Sequence, residues 1–239
     1  MQRICSLLLL FSSFASVHAQ LGERRSSVAV GVSAGLAMNQ VGFNPTIRQK
    51  WHMGPQFGVS ARFTSELYFK TLCALQVECN YVQSGWRERV LNAAGEELPD
   101  KYSRHHNYLQ LPILARLSWG AEARGVNAFF LAGPQFGILL GERSDQSEVW
   151  TLTSGGNPDR PNYMYAQYSM SADHRFDYGI TAGIGVELNT TKGRFSVEGR
   201  YYYGLADIYK NSKKDVFTRS NNGTIYVRLA YFIDVKKKK

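Results

Sequence analysis

Strict alternation between apolar and polar residues is the feature of this sequence that most limits its fold. A two-residue period is typical of β-strands, because successive side chains point to opposite faces of a sheet. Eight segments show it, and the clearest is 177–188, where every second residue from Tyr178 to Leu188 is apolar. Helical periodicity is nearly absent. The sequence therefore predicts an all-β fold.

The connections between the eight predicted strands alternate in length. They are long after the first, third, fifth and seventh strands and short after the other three. Bacterial outer-membrane barrels combine long extracellular loops with short periplasmic turns. We therefore expect an eight-stranded antiparallel up-and-down transmembrane β-barrel with both chain ends in the periplasm. The long loops are predicted at 39–52, 87–105, 141–175 and 208–221.

The first residues have the features of an export signal. Arg3 precedes an apolar run at 7–11, and a Val-His-Ala sequence at 17–19 supplies the small residues of a cleavage site. The apolar run is too short for a membrane-spanning helix, which needs roughly 20 residues. We expect residues 1–19 to be a signal peptide and residues 20–239 to form a single outer-membrane barrel.

One face of the predicted strands carries four arginines and four carboxylates, whereas the opposite face is nearly free of charge, as contact with lipid requires. The interior of an eight-stranded barrel is just wide enough for side chains to fill. An unpaired buried charge costs on the order of several kcal/mol. We therefore predict a paired charge network and no wide channel. Its members are Arg62, Glu78, Arg116, Asp177, Glu187, Glu198, Arg200 and Arg228.

Aromatic residues at or near the predicted strand ends favour a membrane location, because such barrels carry aromatic girdles at both interfaces. The alternative explanation is the ordinary enrichment of aromatic residues in strands. The fifth predicted strand, 126–140, is apolar on both faces, and its Gly133-Pro134 sequence predicts a β-bulge. The candidate girdle residues are Trp51, Tyr81, Trp86, Trp119, Trp150, Tyr201, Tyr203 and Tyr231.

The chain is basic, with a formal net charge of +9. In an exported protein this charge favours outer-membrane lipid headgroups or lipopolysaccharide phosphates as partners over nucleic acid. The one dense basic run, Lys236–Lys239, is interpreted as a solvated tail. Aromatic residues of the long third loop serve either as recognition anchors or as a lid over the barrel mouth. The loop recognition candidates are Trp150, Tyr163, Tyr165, Tyr168, Lys210, Lys213 and Lys214.

Histidine and aspartate residues map to the extracellular rim, where such a pair can act as a general base and its orienting group. No spacing links a nucleophile to a base, and the sequence contains no metal-ligand or nucleotide motif. We expect solvated loop histidines, no catalytic residues, no metal and no cofactor. The rim residues concerned are His52, His105, His106, Asp173 and His174.

Four segments resemble strands of the PorT-like outer-membrane barrels, which are widespread in the Bacteroidetes. They read YLQLPILAR at 108–116, FLAGPQFG at 130–137, FDYGITAGIGVE at 176–187 and GRYYYGLAD at 199–207. The resemblance covers roughly 105–235 and extends only loosely to the first third. The founding member is an accessory component of the type IX secretion system, which exports proteins that carry C-terminal signal domains.

The resemblance implies a non-enzymatic membrane component that works with other secretion-system proteins. Two classes of alternative stay open. One is a structural or adhesive surface barrel that acts through its extracellular loops. The other is a narrow passive porin, or a lipid hydrolase or acyltransferase with its site at the rim. The chain departs from the family pattern in ending with four lysines, where many barrels end on an aromatic residue.

Overall fold

The computed structural model describes residues 23–121, 124–161, 165–212 and 214–238, with only the main chain of 23–25 and 236–238. The predicted signal peptide therefore lies outside the described residues. Within them, the strands form one antiparallel sheet. The strands are β1 (Glu23–Asn44), β2 (Gln49–Lys50), β3 (His52–Tyr68), β4 (Thr71–Glu88), β5 (Tyr102–Gly120), β6 (Gly125–Gln146), β7 (Phe176–Asn189), β8 (Arg194–Asp207) and β9 (Arg219–Lys238).

Eight of these strands close into a ring. Each long strand pairs with its neighbours along the chain, and β9 returns to pair with β1, so that Val32 lies opposite both Val59 and Tyr231. The two-residue strand β2 adds only a short antiparallel pair to the outer end of β4. The predicted eight-stranded antiparallel up-and-down barrel is confirmed.

The lengths of the connections also follow the predicted alternation. Short connections at 69–70, 121–124 and 190–193 join the strands at one end, which is the periplasmic end in barrels of this kind. Both described chain ends, Glu23 and Lys238, lie there. The longer connections at the other end are 45–51, 89–101, 147–175 and 208–218.

The strands extend further outward than the alternation of apolar residues predicted. In β5 the polar segment 103–108 is still paired with both β4 and β6. Its outward-facing side chains include His105 and Asn107, so this part of β5 projects beyond the apolar band. The described part of the loop from β6 to β7 includes a turn of 3-10 helix, Ala166–Tyr168. No helix in the described ranges is long and apolar enough to cross a membrane.

The outer face of the membrane-spanning part is apolar. In β7, Ile180, Ile184 and Val186 are each more than half exposed, whereas Thr181 and Glu187, on the other face, are buried. The same alternation holds along the other long strands, as the burial pattern of β8 illustrates. An exposed apolar band of this kind, about 25 Å tall, is what a barrel presents to lipid.

The aromatic girdle is smaller than predicted. Trp86 is fully buried inside the extracellular mouth, because it shares the inward side of β4 with Val82 and Ser84. Trp150 packs within the long extracellular loop. The predicted girdle residues that do lie exposed on the outer face are Trp51, Tyr81, Trp119, Tyr201 and Tyr203.

The predicted bulge at Gly133-Pro134 is wrong. Both residues keep register with β7, where Pro134 lies opposite Ile180. Pairing with β5 is interrupted between Ala132 and Gln135 without a change of register, as expected where a proline has no N–H to donate. The register shift between β5 and β6 lies further outward, next to Tyr108.

Candidate functional site

Charged side chains fill the periplasmic half of the barrel interior. Glu187 Oε2 lies 2.7 Å from Arg62 Nη1 and 3.0 Å from Arg116 Nη2, and all three side chains are buried. Each guanidinium also lies over an aromatic ring, 3.9 Å from the Phe232 centroid for Arg62 and 3.5 Å from the Phe129 centroid for Arg116. Cation–π contacts gain in strength when both partners are shielded from water, as they are here. We call Arg62, Arg116 and Glu187 the Glu187 cluster.

A second cluster lies closer to the middle of the barrel and joins β4, β8 and β9. Glu78 lies 2.7 Å from Arg200 and 2.6 Å from Arg228, and Glu198 lies 2.9 Å and 2.7 Å from the same two guanidinium groups. Each carboxylate therefore contacts both arginines, and three of the four contacts are charge-assisted hydrogen bonds, which are the strong class. We call these four residues the Glu78 cluster.

Asp177, the eighth residue of the predicted network, belongs to neither cluster. Its Oδ2 accepts a hydrogen bond from Asn222 Nδ2 at 2.9 Å, and Tyr202 is a second hydrogen-bond partner. Among the described residues no lysine or arginine lies within ion-pair distance of it. The prediction that all eight interior charges are paired with opposite charges is wrong for Asp177, because the groups that face it are an amide and a phenol rather than a guanidinium.

The expectation of solvated rim histidines is wrong for two of them. His52 and His106 are 1% and 0% exposed. His52 Nε2 lies 2.8 Å from His105 Nδ1, and His105 Nε2 lies 3.1 Å from Asp145 Oδ2. The adjacent His105 and His106 sit on the extended part of β5, so they point to opposite faces of the sheet.

His106 faces the interior of the mouth, where it meets Glu142 and Arg104. Glu142 Oε2 lies 3.6 Å from His106 Nε2 and 3.4 Å from Arg104 Nη1. Burial lowers the pKa of His106, and contact with His106 lowers the pKa of Glu142. Both groups lie above the apolar band, in the part of β5 and β6 that projects from the membrane.

An aromatic plug closes the extracellular mouth above this polar layer. Phe43 and Trp86 pack edge to face with ring centroids 5.0 Å apart, and Trp150 and Tyr168 of the long loop lie 4.6 Å apart. Of the two roles left open for the long loop, this packing matches a lid. The aromatic plug consists of Val41, Phe43, Ile47, Trp86, Tyr102, Ile208, Tyr209 and Phe217, with Trp150 and Tyr168 packed against them.

A buried ion pair fastens the long loop, residues 147–175, to the rest of the mouth. Arg160 Nη2 lies 3.0 Å from Asp100 Oδ2, and the two side chains are 1% and 4% exposed. Arg160 Nε also donates to Tyr168 Oη at 2.6 Å, and Tyr168 Oη donates to Glu88 Oε1 at 3.0 Å. Burial raises the pKa of Glu88, which lies at the outer end of β4. These contacts hold the loop across the mouth.

The remaining predicted rim and loop residues lie apart from the plug. Tyr165 is 37% exposed, and Lys214 is exposed. Lys210 Nζ lies 3.5 Å from Asp173 Oδ1, and His174 Nδ1 lies 3.0 Å from a main-chain oxygen. Tyr163 and Lys213 lie outside the described residues. The predicted loop candidates therefore do not converge on one site.

Strand parity is the sequence signal that identifies the buried mouth residues. Tyr102, Arg104 and His106 have even numbers, as do Gln110 and Arg116, which the alternation already placed on the inward face of the same strand. Extending that alternation outward by a few residues predicts their burial. The alternation of apolar and polar residues ended before these positions, because the outward face of β5 becomes polar above the membrane.

A family model described as "Outer membrane protein beta-barrel domain" matches residues 18–210, which is most of the chain. The chain belongs to this family of outer-membrane β-barrel proteins. Its location is therefore the outer membrane, which agrees with the exposed apolar band and the closed ring of strands. Among curated protein sequences, none matches this chain.

Several solved barrel structures are similar to this one. Ail of Yersinia pestis, in complex with the heparin analogue sucrose octasulfate, is 13% identical with a TM-score of 0.38, over 87% of this chain and 99% of that one. Neisserial surface protein A is 13% identical with a TM-score of 0.40, over 87% and 98%. The outer membrane enzyme PagL is 11% identical with a TM-score of 0.40, over 85% and 98%. Similarity at this level carries no information about ligand or activity.

Proposed function

We propose that this protein is a non-enzymatic outer-membrane barrel that works through partner proteins, as an accessory component of type IX protein secretion. The main evidence that the barrel works through partner proteins is that side chains fill its interior. The Glu187 and Glu78 clusters fill the barrel, and the aromatic plug covers its mouth. A barrel filled in this way acts through its surfaces, since a solute has no wide path through its centre.

The secretion role is supported by the resemblance of 108–207 to PorT-like barrels. Several charged residues within the matching segments point into the barrel, among them Arg116, Glu187 and Arg200. The matching residues therefore belong to the filled interior as well as to the outer faces of β5 to β8. Outer-membrane lipid and the other secretion-system proteins are the partners that this role requires.

Deletion of the gene tests the secretion role. Cargo proteins with C-terminal signal domains should accumulate in the cell in unprocessed form, and wild-type protein supplied in trans should restore their export. An outer-membrane protein that does not use this system serves as the control for general envelope damage. Unchanged export and maturation of the cargo would remove the secretion role.

The absence of catalysis is part of the proposal. The imidazole nitrogens of His52, His105 and His106 contact one another, Asp145 or Glu142, or have no hydrogen-bond partner among the described residues. A nucleophile–base pair needs a hydroxyl or thiol within hydrogen-bond reach of the base. A triple variant with His105, His106 and His174 all changed to Ala should complement the deletion. Loss of a lipid-hydrolase or acyltransferase activity in that variant would contradict this part of the proposal.

An adhesive role is the second candidate, and exposed apolar residues in the long loop favour it. Val149 is 82% exposed and Leu152 is 54% exposed, at a position that projects from the cell. Exposed apolar residues in a loop are typical of contact sites for other proteins. The variant V149S/L152S separates the two roles, because it should weaken binding to surfaces or host cells only if the barrel is an adhesin. Normal cargo export together with lost adhesion would favour the second candidate.

A further inference from the structure

The positive charge of this protein is concentrated at one end of the barrel. Among the described residues, the extracellular end carries twelve Lys and Arg against eleven Asp and Glu, and the interior carries four of each. The periplasmic end carries nine basic residues and only three acidic ones, Glu23, Glu66 and Asp234. The excess charge of the described chain therefore lies almost entirely at the periplasmic rim.

The ends of two neighbouring strands account for much of this excess. In the β1–β9 pair, Val28 lies opposite Lys236, Ser27 opposite Lys237 and Ser26 opposite Lys238. Arg24 and Arg25 lie at the same end of β1. The register thus brings the basic C-terminal run beside the basic start of the barrel. The sequence alone suggested a solvated tail for this run, but its first three residues pair as part of β9.

An apolar groove begins on the outer face directly outward of these residues. It has a volume of about 580 Å³ and crosses five strands, from β9 through β1, β3 and β4 to β5. Val30 and Ile233, which lie opposite each other, form its periplasmic edge, and Lys236 is three positions beyond Ile233 on β9. The small residues Ala61 and Cys79 form part of its floor.

A further cation lies beside the groove. Tyr231 lines it, and Tyr231 Oη donates a hydrogen bond to the main-chain oxygen of Lys192 at 3.1 Å. The Tyr231 ring also packs on Phe195, with centroids 4.6 Å apart. Aromatic residues of this kind mark the membrane interface. Lys192 is exposed, so its ammonium group is available at the depth of the lipid headgroups.

We propose that this groove and the basic ends of β1 and β9 together bind an anionic phospholipid of the inner leaflet. An acyl chain lies in the groove, and the phosphate lies at the periplasmic rim, where the register places the basic ends of β1 and β9. Along β9 the groove residues Tyr231 and Ile233 come first and the basic residues from Lys236 follow at the periplasmic end, which matches the order of acyl chain and headgroup in a lipid. This site is independent of the proposed role in secretion.

Native mass spectrometry of the full-length barrel tests the site. The protein is taken from nanodiscs of equal parts phosphatidylglycerol and phosphatidylcholine, and the retained lipids are counted. Wild-type protein should retain phosphatidylglycerol preferentially. The variant K236Q/K237Q/K238Q should lose this preference, by about fivefold for each lysine near the headgroup. The matched control K101Q/K210Q/K214Q removes three extracellular lysines and should behave as wild type.

A second pair of variants tests the groove. Ala61→Phe fills it and should abolish the retained phosphatidylglycerol. Ala182→Phe makes the same change on the lipid face of β7, away from the groove, and should leave lipid retention unchanged. The faster migration of folded barrels in unheated gels shows whether each variant has folded, and only folded protein is compared.

Several outcomes would overturn the proposal. The first is equal retention of the two lipids by wild-type protein. The second is an equal loss of retained phosphatidylglycerol in K236Q/K237Q/K238Q and in K101Q/K210Q/K214Q. The third is an equal loss of retained phosphatidylglycerol in Ala61→Phe and in Ala182→Phe. A dimer that disappears in Ala61→Phe, with no change in retained lipid, would show instead that a second copy of the chain occupies the groove.

Discussion

Glu78 shows at the scale of a single residue how charge is accommodated inside the barrel. Its carboxylate contacts both Arg200 and Arg228, and the side chain is fully buried. A buried ion pair adds little net stability over an apolar pair of the same shape. Removing one member is costly, because it leaves an uncompensated charge in a low-dielectric interior.

We expect Glu78→Gln to lower the free energy of unfolding by roughly 3–5 kcal/mol, because two guanidinium groups then share the single carboxylate of Glu198. Denaturant unfolding in lipid vesicles, followed by tryptophan fluorescence, measures the change. The matched control is Glu96→Gln, at an exposed position in the loop after β4, which should not differ measurably from wild type. Equal effects of the two substitutions would contradict the buried network.

His106 makes the packing of the mouth depend on pH. Burial lowers its pKa, so the folded mouth favours the neutral imidazole. The stability that the neutral His106 provides is present above the ordinary histidine pKa of about 6.5, and it decreases as the pH falls below that pKa. The pKa of Glu142 is also lowered, so its contribution is lost only in more acidic solution.

We therefore expect the long loop to be cleaved faster by protease at pH 5 than at pH 7.5. His106→Gln keeps a neutral polar group at this position and should make the cleavage rate less dependent on pH. His174→Gln changes an exposed histidine and should retain the dependence of the wild type. A wild-type cleavage rate that is constant over this range would argue against protonation at His106.

At the scale of the element, the long loop behaves as a packed lid rather than a free tether. Arg160 forms a buried ion pair with Asp100, and Trp150 packs on Tyr168. Loops with few buried contacts open readily, whereas loops held by buried side chains open rarely. The contacts of the long loop are of the second kind.

Trp150→Ala should increase the rate of protease cleavage within the long loop by on the order of tenfold, which corresponds to ~1.4 kcal/mol of lost packing. The neighbouring substitution Val149→Ala is the control, because that side chain is 82% exposed. Limited proteolysis of the folded protein measures both rates. Equal rates for the two variants would mean that Trp150 does not hold the lid.

For the whole molecule, the filled interior predicts electrical behaviour. The purified protein should show no stable conductance in the nanosiemens range in planar bilayers. A variant in which residues 147–175 are replaced by a short glycine–serine linker should also remain closed, because the Glu78 and Glu187 clusters lie below the plug. Large stable channels in either protein would contradict the filled interior.

The local pattern of the sequence was sufficient to predict most of the barrel. A strand that separates lipid from a polar interior must alternate, and connections of unequal length must alternate between the two ends of the ring. Both regularities depend on neighbours along the chain, so they can be read without a structure. The same alternation, continued past the apolar band, also accounts for the inward positions of Trp86 and His106.

Which inward residues meet was decided by the tertiary structure alone. Arg62 and Glu187 are 125 positions apart, and Glu78 and Arg200 are 122 apart, so only closure of the ring brings them together. Alternation placed eight charged residues on one face, but their depth and direction depend on strand register and tilt, and Asp177 faces amide and phenol groups instead. The filled barrel and its orientation were thus determined locally, while the ion-pair partners, the plugged mouth and the charged periplasmic rim required the closed ring.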